Sequence, residues 1–181
     1  MPKPKLLLLD ANIIILAHEL GVWGQLVEKC SITITKTVYE EALFWDDADG
    51  ERHDITLGPG IENGKINCLE VEMPVLETFL SKFGALYLDK LDPGEADSLA
   101  LLTSSSDVWT ICSADAIVFR VLGCLNLGDQ GLSFEEVLRQ VGLSVSLDED
   151  CFHYTKDFRL KFTRRGQQEG IMGMGLRSEN G

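Results

Sequence analysis

The chain has 181 residues, with 16 Lys and Arg against 29 Asp and Glu, and a formal net charge of −13. Hydrophobic residues make up 45% of it, which is enough to bury a core and excludes a globally disordered protein. Because phosphate binding normally depends on Lys and Arg, composition alone argues against a protein that binds nucleic acid.

Short apolar runs alternate with helical patterns along the chain. We predict strands at residues 6–9, 32–35, 65–71, 108–112 and 124–127. Between and after them, the apolar spacing predicts helices at residues 13–20, 22–29, 38–45, 75–83, 94–102, 114–122 and 134–141. Continuous apolar strands that alternate with helices are typical of a parallel sheet covered on both faces. The expected fold is therefore a three-layer α/β/α sandwich with a central parallel sheet of four or five strands.

Two segments fit this pattern less well, and they set the predicted domain organisation. Residues 46–64 are rich in Asp and Gly and are expected to form a long loop. From residue 148 onward the apolar periodicity weakens, and residues 151–181 carry a net charge of +3. We predict one domain over residues 1–147, with the loop 46–64 as an excursion, and a basic C-terminal extension over residues 148–181.

The cysteines and the N-terminus indicate the cellular compartment. Five cysteines are widely spaced and form no C-x-x-C pair, which excludes a disulfide framework and a zinc motif. Asp10 and Asn12 interrupt the apolar run near the N-terminus, so it does not have the pattern of a signal peptide. We expect a soluble, cytoplasmic protein.

Helix-capping patterns separate the acids with a structural role from the others. Thr37 and Glu40, Asp92 and Glu95, and Ser133 and Glu136 each have the spacing of a capping box. Ser113 is expected to cap the helix that follows it, which would place Asp115 in the first turn. Four acids remain without an obvious structural role: Asp10, Glu41, Asp97 and Asp115.

These four acids lie at the end of a strand or near the start of a helix. The carboxyl ends of parallel strands share one edge of a sheet, and ligands bind in the crevice there. Four carboxylates at that edge would need a compensating cation, and Mg²⁺ or Mn²⁺ prefers oxygen ligands. Such a site could activate water for attack on a phosphodiester. Taken singly, each acid is also explained as a solvated charge that offsets the helix dipole.

The motifs around these acids resemble the PIN-domain family of metal-dependent ribonucleases, in particular the VapC-type toxins of toxin–antitoxin pairs. The motifs are LLLLDANI around Asp10, TKTVYEEAL around Glu41, LDPGEADSLALL around Asp97 and TICSADAIVFRVL around Asp115. The run GDQGLSFEEVLRQVGL also resembles the last strand–helix unit of such domains, so that the resemblance covers most of residues 5–143.

The resemblance implies an endoribonuclease with Mg²⁺ or Mn²⁺ held by Asp10, Asp97 and Asp115 and with Glu41 completing the site. It implies a small antitoxin protein as partner and a homodimer. Asn12 matches the polar residue that orients the first aspartate, and Ser113 matches a small hydroxyl before the last one; both can also be read as caps. Glu95 competes with Asp97 for the third acidic position, and Asp97 is favoured because the capping box already accounts for Glu95.

Two other functions stay open. Residues 46–64 and the extension have no counterpart in a minimal domain of this family, so the chain could be a catalytically silent PIN-like module that binds RNA or a partner protein. Phosphoryl transfer through an aspartyl-phosphate at Asp10 is less well supported, because Asn12 stands where a second acid would be needed.

A few basic residues are candidates for RNA contact. Lys and Arg residues alternate with aromatic residues in the extension. The Lys and Arg side chains could pair with RNA phosphates, and the aromatic rings could stack on nucleobases. The alternative, which we favour, is that this segment folds against the body and pairs its bases with local acids. The candidates for RNA contact are Arg120, Arg159, Lys161, Arg164 and Arg165.

Overall fold

The computed structural model describes residues 5–8 and 10–177, and in this part the chain alternates between helices and short strands. The strands are β1 (Lys5–Leu8), β2 (Ser31–Thr35), β3 (Phe44–Asp46), β4 (Arg52–Asp54), β5 (Ile66–Leu69), β6 (Thr110–Cys112) and β7 (Gly131–Leu132). The helices are α1 (Ala11–Glu19), α2 (Trp23–Lys29), α3 (Lys36–Glu41), α4 (Gly58–Glu62), α5 (Met73–Leu80), α6 (Ala85–Leu88), α7 (Pro93–Ser104), α8 (Ala116–Cys124), α9 (Phe134–Gln140) and α10 (Lys156–Ile171). Short 3₁₀ turns span Gly128–Gln130 and Glu149–Tyr154. The predicted α/β class is confirmed.

Five strands pair in the order β5-β2-β1-β6-β7, and each neighbouring pair is parallel. β1 lies in the middle of this sheet, where Leu8 is level with Ile34 of β2 and with Cys112 of β6. The three strands therefore finish at the same edge of the sheet. The residues that follow each strand are brought together there, and this edge positions the candidate site.

Buried apolar side chains form two clusters, which lie on opposite faces of the sheet. Neighbouring residues of a strand point to opposite faces, and in β6 Cys112 belongs to one cluster and Ile111 to the other. The first cluster contains Ile13, Ile14, Leu26, Ile32, Ile34, Cys112, Phe134 and Val137, among others. The second contains Phe79, Phe83, Tyr87, Leu99, Ile111, Val118, Phe119 and Leu122, among others.

The segment predicted as a helix over 38–45 and a loop over 46–64 is folded differently. α3 ends at Glu41, and β3 and β4 form an antiparallel hairpin that α4 follows. Stacking of Trp45 on His53, at 4.6 Å between ring centroids, stabilises the hairpin. Asp47 accepts hydrogen bonds from the turn amides, and Gly50 adopts a positive φ of 79° that the turn requires.

The strand predicted at residues 124–127 is wrong. α8 continues to Cys124, and the chain then turns through Asn126, whose φ is 58°, while Leu127 donates a backbone hydrogen bond to Leu122 at 2.8 Å. This is a helix C-terminus with a left-handed residue, which asparagine tolerates well. The last strand of the sheet is β7, a few residues later.

The described part of the C-terminal extension packs against the body. Tyr154 belongs to the first cluster, and Phe158 and Phe162 of α10 pack on the second. Arg120 of α8 forms two hydrogen bonds with Glu169 of α10, at 3.0 and 2.9 Å, and the two residues are only 4% and 6% exposed. The favoured interpretation, a helix or strand that folds against the body, is therefore confirmed in its helical form, and Arg159 and Arg165 pair with local acids. Residues 1–4, 9 and 178–181 lie outside the described residues.

Among the described residues, no helix is long and apolar enough to cross a membrane.

Glycine residues allow α8 and α10 to approach closely. A methyl group at Gly166 would overlap the backbone carbonyl of Arg120, and one at Gly123 would overlap the carbonyl of Thr163. The two backbones are therefore in direct contact at this crossing, and any larger residue would separate the helices.

We predict that Gly166→Ala lowers the free energy of unfolding by roughly 1–3 kcal/mol or more, because the backbone of α8 would have to move. The measurement is thermal unfolding followed by circular dichroism, and a fall in Tm of ~5 °C is expected. Gly24→Ala is the matched control: Gly24 is an exposed residue of α2 with no atom near the new methyl group, so its Tm should stay the same or rise. An unchanged Tm for Gly166→Ala would contradict the close crossing.

Candidate functional site

Asp10 lies directly behind the end of β1, at the edge where the three central strands finish. It is the N-cap of α1, and its Oδ1 accepts a hydrogen bond from the amide of Ile13 at 3.0 Å. Its Oδ2 accepts hydrogen bonds from the hydroxyl of Ser113 at 3.2 Å and the amide of Ala114 at 3.4 Å. Asp10 is thus held by donors from both α1 and the end of β6.

Ser113 joins Asp10 to Asp115. The Ser113 side chain is fully buried, and its Oγ accepts a hydrogen bond from the amide of Asp115 at 3.0 Å. Asp115 is itself the N-cap of α8, and its Oδ1 accepts a hydrogen bond from the amide of Ile117 at 2.8 Å. The expectation that Ser113 caps this helix is wrong: its hydroxyl instead bridges the two aspartates at the ends of neighbouring strands.

Glu41 and Asp97 come from α3 and α7. The predicted capping box of Thr37 and Glu40 is wrong, because α3 starts earlier and Thr35 is its N-cap. The Thr37 hydroxyl instead donates a hydrogen bond to Oδ2 of Asp97 at 2.5 Å. Glu41 is the last residue of α3 and is exposed.

Glu95 is the most deeply buried acid at this edge. The predicted capping box at the start of α7 is confirmed: Glu95 Oε2 accepts a hydrogen bond from the amide of Asp92 at 3.1 Å. Glu95 is only 3% exposed, whereas Asp97 is half-buried. The acid that the sequence assigned to a cap is the buried one, and Asp97 is the more accessible of the two.

These carboxylates form one group, because the charge of one raises the pKa of another. Burial raises the pKa of Asp10, and the charge of Asp115 adds to that rise, against the hydrogen bonds that the Asp10 carboxylate accepts. Burial, followed by the charges of Asp92, Asp10 and Asp97, raises the pKa of Glu41. We define the acidic edge as Asp10, Glu41, Asp92, Glu95, Asp97 and Asp115.

Glu95 is the most strongly perturbed member of the acidic edge. Burial, together with the charges of Asp115, Asp10 and Asp92, raises its pKa to about 8, although the hydrogen bond from the Asp92 amide opposes the rise. Asp92 is the one member that the sequence did not mark as a site residue. Its N-cap position, a few residues before Glu95 and Asp97, was the signal that could have found it.

The structure brings Asp10, Glu41, Asp97, Asp115, Ser113 and Glu95 to one edge, but it gives Asn12 no such role. Asn12 is exposed in the first turn of α1. Among the described residues, the groups that donate hydrogen bonds to Asp10 are those of Ile13, Ser113 and Ala114, so Asn12 does not orient it here.

The candidate RNA-contacting bases fall into two sets. Arg120 is buried against Glu169 and is therefore not part of a surface that RNA can contact. Arg159 forms two hydrogen bonds with Glu136, at 2.7 and 2.8 Å, and Arg165 pairs with Glu169 at 3.0 Å. Lys161 and Arg164 are exposed on α10, and neither has an ion pair in the described ranges. They are the most available of the five predicted bases.

The donor chemistry of the acidic edge fits a hard divalent cation. Its side chains offer carboxylate oxygens, which Mg²⁺ and Mn²⁺ prefer. Burial, with neighbouring carboxylate charges added to it, raises the pKa values of Asp10, Glu41 and Glu95, and a bound cation would favour their ionised forms. The oxygens of Asp10, Asp97 and Asp115 are not all within 4.8 Å of one another. Mg²⁺ commonly binds through one or two carboxylates and several waters, so this spacing is compatible with such an ion.

A second group of possible metal ligands lies in the hairpin. Within the described residues, Asp47, Glu51 and His53 form the single group of three whose ligand atoms lie within 4.8 Å of one another. A hydrogen bond of 2.9 Å between His53 and Asp47 accounts for two of its members. This group was not predicted from the sequence, and it is separate from the acidic edge.

Comparison with known proteins does not identify the chain, since no family model, no curated protein and no solved structure matches it. The interpretation of the acidic edge therefore depends on its own geometry and charge, together with the sequence motifs described above.

We predict that Glu95→Gln stabilises the protein without divalent cations, and that the gain grows with pH. The pKa of Glu95 is about 8 when folded against an ordinary value of 4.5, so the folded protein binds more protons between those values and loses stability as the pH rises through them. Glutamine keeps the cap but never ionises.

In thermal unfolding with EDTA, the difference in Tm between Glu95→Gln and wild type should be smallest near pH 4.5 and largest above pH 8. The expected gain there is on the order of a few kcal/mol, or ~5 °C. Glu136→Gln, at the equivalent position of the capping box of α9, is the control. Hydrogen bonds from Arg159 and Ser133 lower the pKa of Glu136 in spite of burial, so this change should destabilise above that pKa. A pH-independent difference for Glu95→Gln would contradict the raised pKa of Glu95.

Proposed function

We propose that the chain is a metal-dependent endoribonuclease that hydrolyses RNA phosphodiester bonds with Mg²⁺ or Mn²⁺. The observation that carries the proposal is the convergence of carboxylates from separate elements on one sheet edge. Asp10 and Asp115 are joined there through Ser113, and the charges of Asp92, Asp10 and Asp97 act together on Glu41. A soluble protein that maintains this repulsion without a cation would lose stability for no gain, which favours a functional site.

The proposal includes the finer description of the fold, a three-layer PIN-like α/β/α sandwich. It is supported by the parallel strand order β5-β2-β1-β6-β7 and by the apolar clusters on both faces of the sheet. The motifs around the four predicted acids provide the other support, because the resemblance to PIN domains is based on them.

The members of the acidic edge other than Asp92 each have a role in this proposal. Asp10, Asp97 and Asp115 would hold the cation, and a bound cation lowers the pKa of a coordinated water and stabilises charge on phosphate oxygens. Ser113 keeps the Asp10 carboxylate in place. Glu41, at the exposed end of α3, would complete the site or help to position the attacking water. Glu95 is buried and caps α7, so it would hold in place the start of the helix that carries Asp97.

The biological context belongs to the same proposal. A toxin restrained by a small antitoxin protein, a homodimer and a cytoplasmic location are all inferred from the resemblance. Expression of the wild-type chain without its partner should then arrest growth, and Asp115→Asn should relieve the arrest.

A second candidate, a PIN-like module without catalytic activity, is favoured by the charge of the chain. The net charge is −13, and Arg120 and Arg159 are committed to Glu169 and Glu136. Weak contact with RNA would suit a module that binds a partner protein instead. This candidate predicts cation binding without RNA cleavage.

We predict that RNA cleavage by the purified protein requires Mg²⁺ or Mn²⁺ and is abolished by Asp10→Asn and by Asp115→Asn. A neutral amide is a poorer cation ligand than a carboxylate, and a loss of at least ~100-fold in kcat/KM is expected. Asp129→Asn is the matched control. Asp129 is exposed in the turn before β7, and so it lies at the opposite end of the strands from the acidic edge. Cleavage that persists in EDTA or in both site variants would contradict the assigned site.

We also predict that RNA binding depends on Lys161 and Arg164. In an Asp10→Asn protein, which should bind RNA without cleaving it, the change Lys161→Glu with Arg164→Glu should weaken binding to a labelled single-stranded RNA by ~10-fold. The salt dependence of binding should become less steep, because fewer counterions are released. Lys65→Glu with Lys90→Glu changes the net charge equally at other exposed positions. Equal losses in both double variants would show that only the overall field matters.

A further inference from the structure

Asp97 is held differently from the other two proposed metal ligands. Asp10 and Asp115 are helix N-caps, so free backbone amides of the first turn fix their carboxylates. Asp97 lies within α7, where the backbone amides are already bonded to carbonyls one turn earlier. In the described part of the chain, its carboxylate receives one hydrogen bond, from the hydroxyl of Thr37.

We infer that Thr37 is a positioning residue, which orients Asp97 for cation binding across the contact between α3 and α7. This inference depends on the proposed function and gives Thr37 a role that the resemblance does not assign to it. The distance of 2.5 Å between Thr37 Oγ1 and Asp97 Oδ2 is that of a strong, charge-assisted hydrogen bond. With Oδ2 engaged by Thr37, Oδ1 remains free of hydrogen bonds among the described residues and available to a cation.

The start of α3 explains why Thr37 is free for this role. Two threonines compete to cap the helix, and Thr35 does so by accepting a hydrogen bond from the amide of Val38 at 3.4 Å. Thr37 is therefore in the first turn of the helix, half-buried, with its side chain directed towards α7. A cap at Thr37 would have used the same hydroxyl for the backbone of α3.

The bond also fixes the spacing between two acids of the site. Thr37 and Glu41 are one turn apart on α3, so their side chains lie on the same side of the helix. The charge of Asp97 contributes to the raised pKa of Glu41. Thr37 attaches Asp97 to α3 one turn from Glu41. It therefore holds the two carboxylates close together at the acidic edge in spite of their repulsion.

The test is a direct measurement of Mn²⁺ binding, in which the electron paramagnetic resonance signal reports the concentration of free ion. Loss of such an outer hydrogen bond typically costs about 10–100-fold in metal affinity. We expect Thr37→Val, which has the same shape without the hydroxyl, to lose affinity in this range. Thr37→Ser keeps the hydroxyl and should bind within ~3-fold of wild type, since it can donate the same hydrogen bond.

Two controls separate positioning from folding. Thr163→Val removes another buried threonine hydroxyl, one without a hydrogen-bond partner in the described residues, and should leave Mn²⁺ affinity unchanged. Thermal unfolding in EDTA shows whether Thr37→Val is folded, and Thr37→Ala serves in its place if it is not. Cleavage of RNA by the folded variant should recover as Mn²⁺ is raised, with the KM for RNA unchanged.

Three results would overturn the inference: wild-type affinity in Thr37→Val, equal losses in Thr37→Val and Thr37→Ser, or no Mn²⁺ binding by wild type. Mn²⁺ binding with the expected order of affinities but without RNA cleavage would overturn the proposed endoribonuclease and support the role of Thr37. Cleavage by wild type with full affinity in Thr37→Val would do the reverse. The two proposals can thus fail separately.

Discussion

Carboxylates from separate elements meet at one edge of the parallel sheet, and the polar groups around them are arranged accordingly. The level endings of β1, β2 and β6 place Asp10 beside Ser113 and bring α3 to the same edge. Nearly every polar group around this edge then holds a carboxylate in place. The backbone amides of two helix starts and the hydroxyls of Ser113 and Thr37 serve this purpose. In spite of these donors, burial raises the pKa values of Asp10, Glu41 and Glu95, and the charges of neighbouring carboxylates add to the rise.

The basic extension balances charge inside the protein more than on its surface. Glu169 accepts hydrogen bonds from Arg120, Arg165 and Tyr87, and these bonds lower its pKa in spite of burial. A buried ion pair adds little net stability, but it defines how two elements meet. Here the ion pair of Arg120 and Glu169 joins α8 to α10, and α8 is the helix whose N-cap is Asp115. The extension therefore supports the helix that carries one of the site acids.

The sequence predicted the α/β class and the positions of four acids, because both depend on patterns that are local or periodic. Apolar runs predicted β1, β2, β5 and β6, and three of the four predicted acids follow a strand directly or after one short helix. It could not predict which of two threonines caps α3, since Thr35 and Thr37 both have the required chemistry and packing against α7 decides between them. The apolar run at 124–127 was wrong as a strand because its leucines fill the second cluster from a helix end. The partner of Arg120 is Glu169, which lies far along the chain, and spacing alone does not show such a pair.

Anomalous scattering from crystals grown with Mn²⁺ locates the ion without reference to activity. It distinguishes a cation site at the acidic edge from one at the hairpin group of Asp47, Glu51 and His53. We expect an anomalous peak bounded by the carboxylates of Asp10, Asp97 and Asp115, which disappears in Asp10→Asn. A peak at the hairpin alone, or no ordered Mn²⁺ at the acidic edge at millimolar concentration, would contradict it.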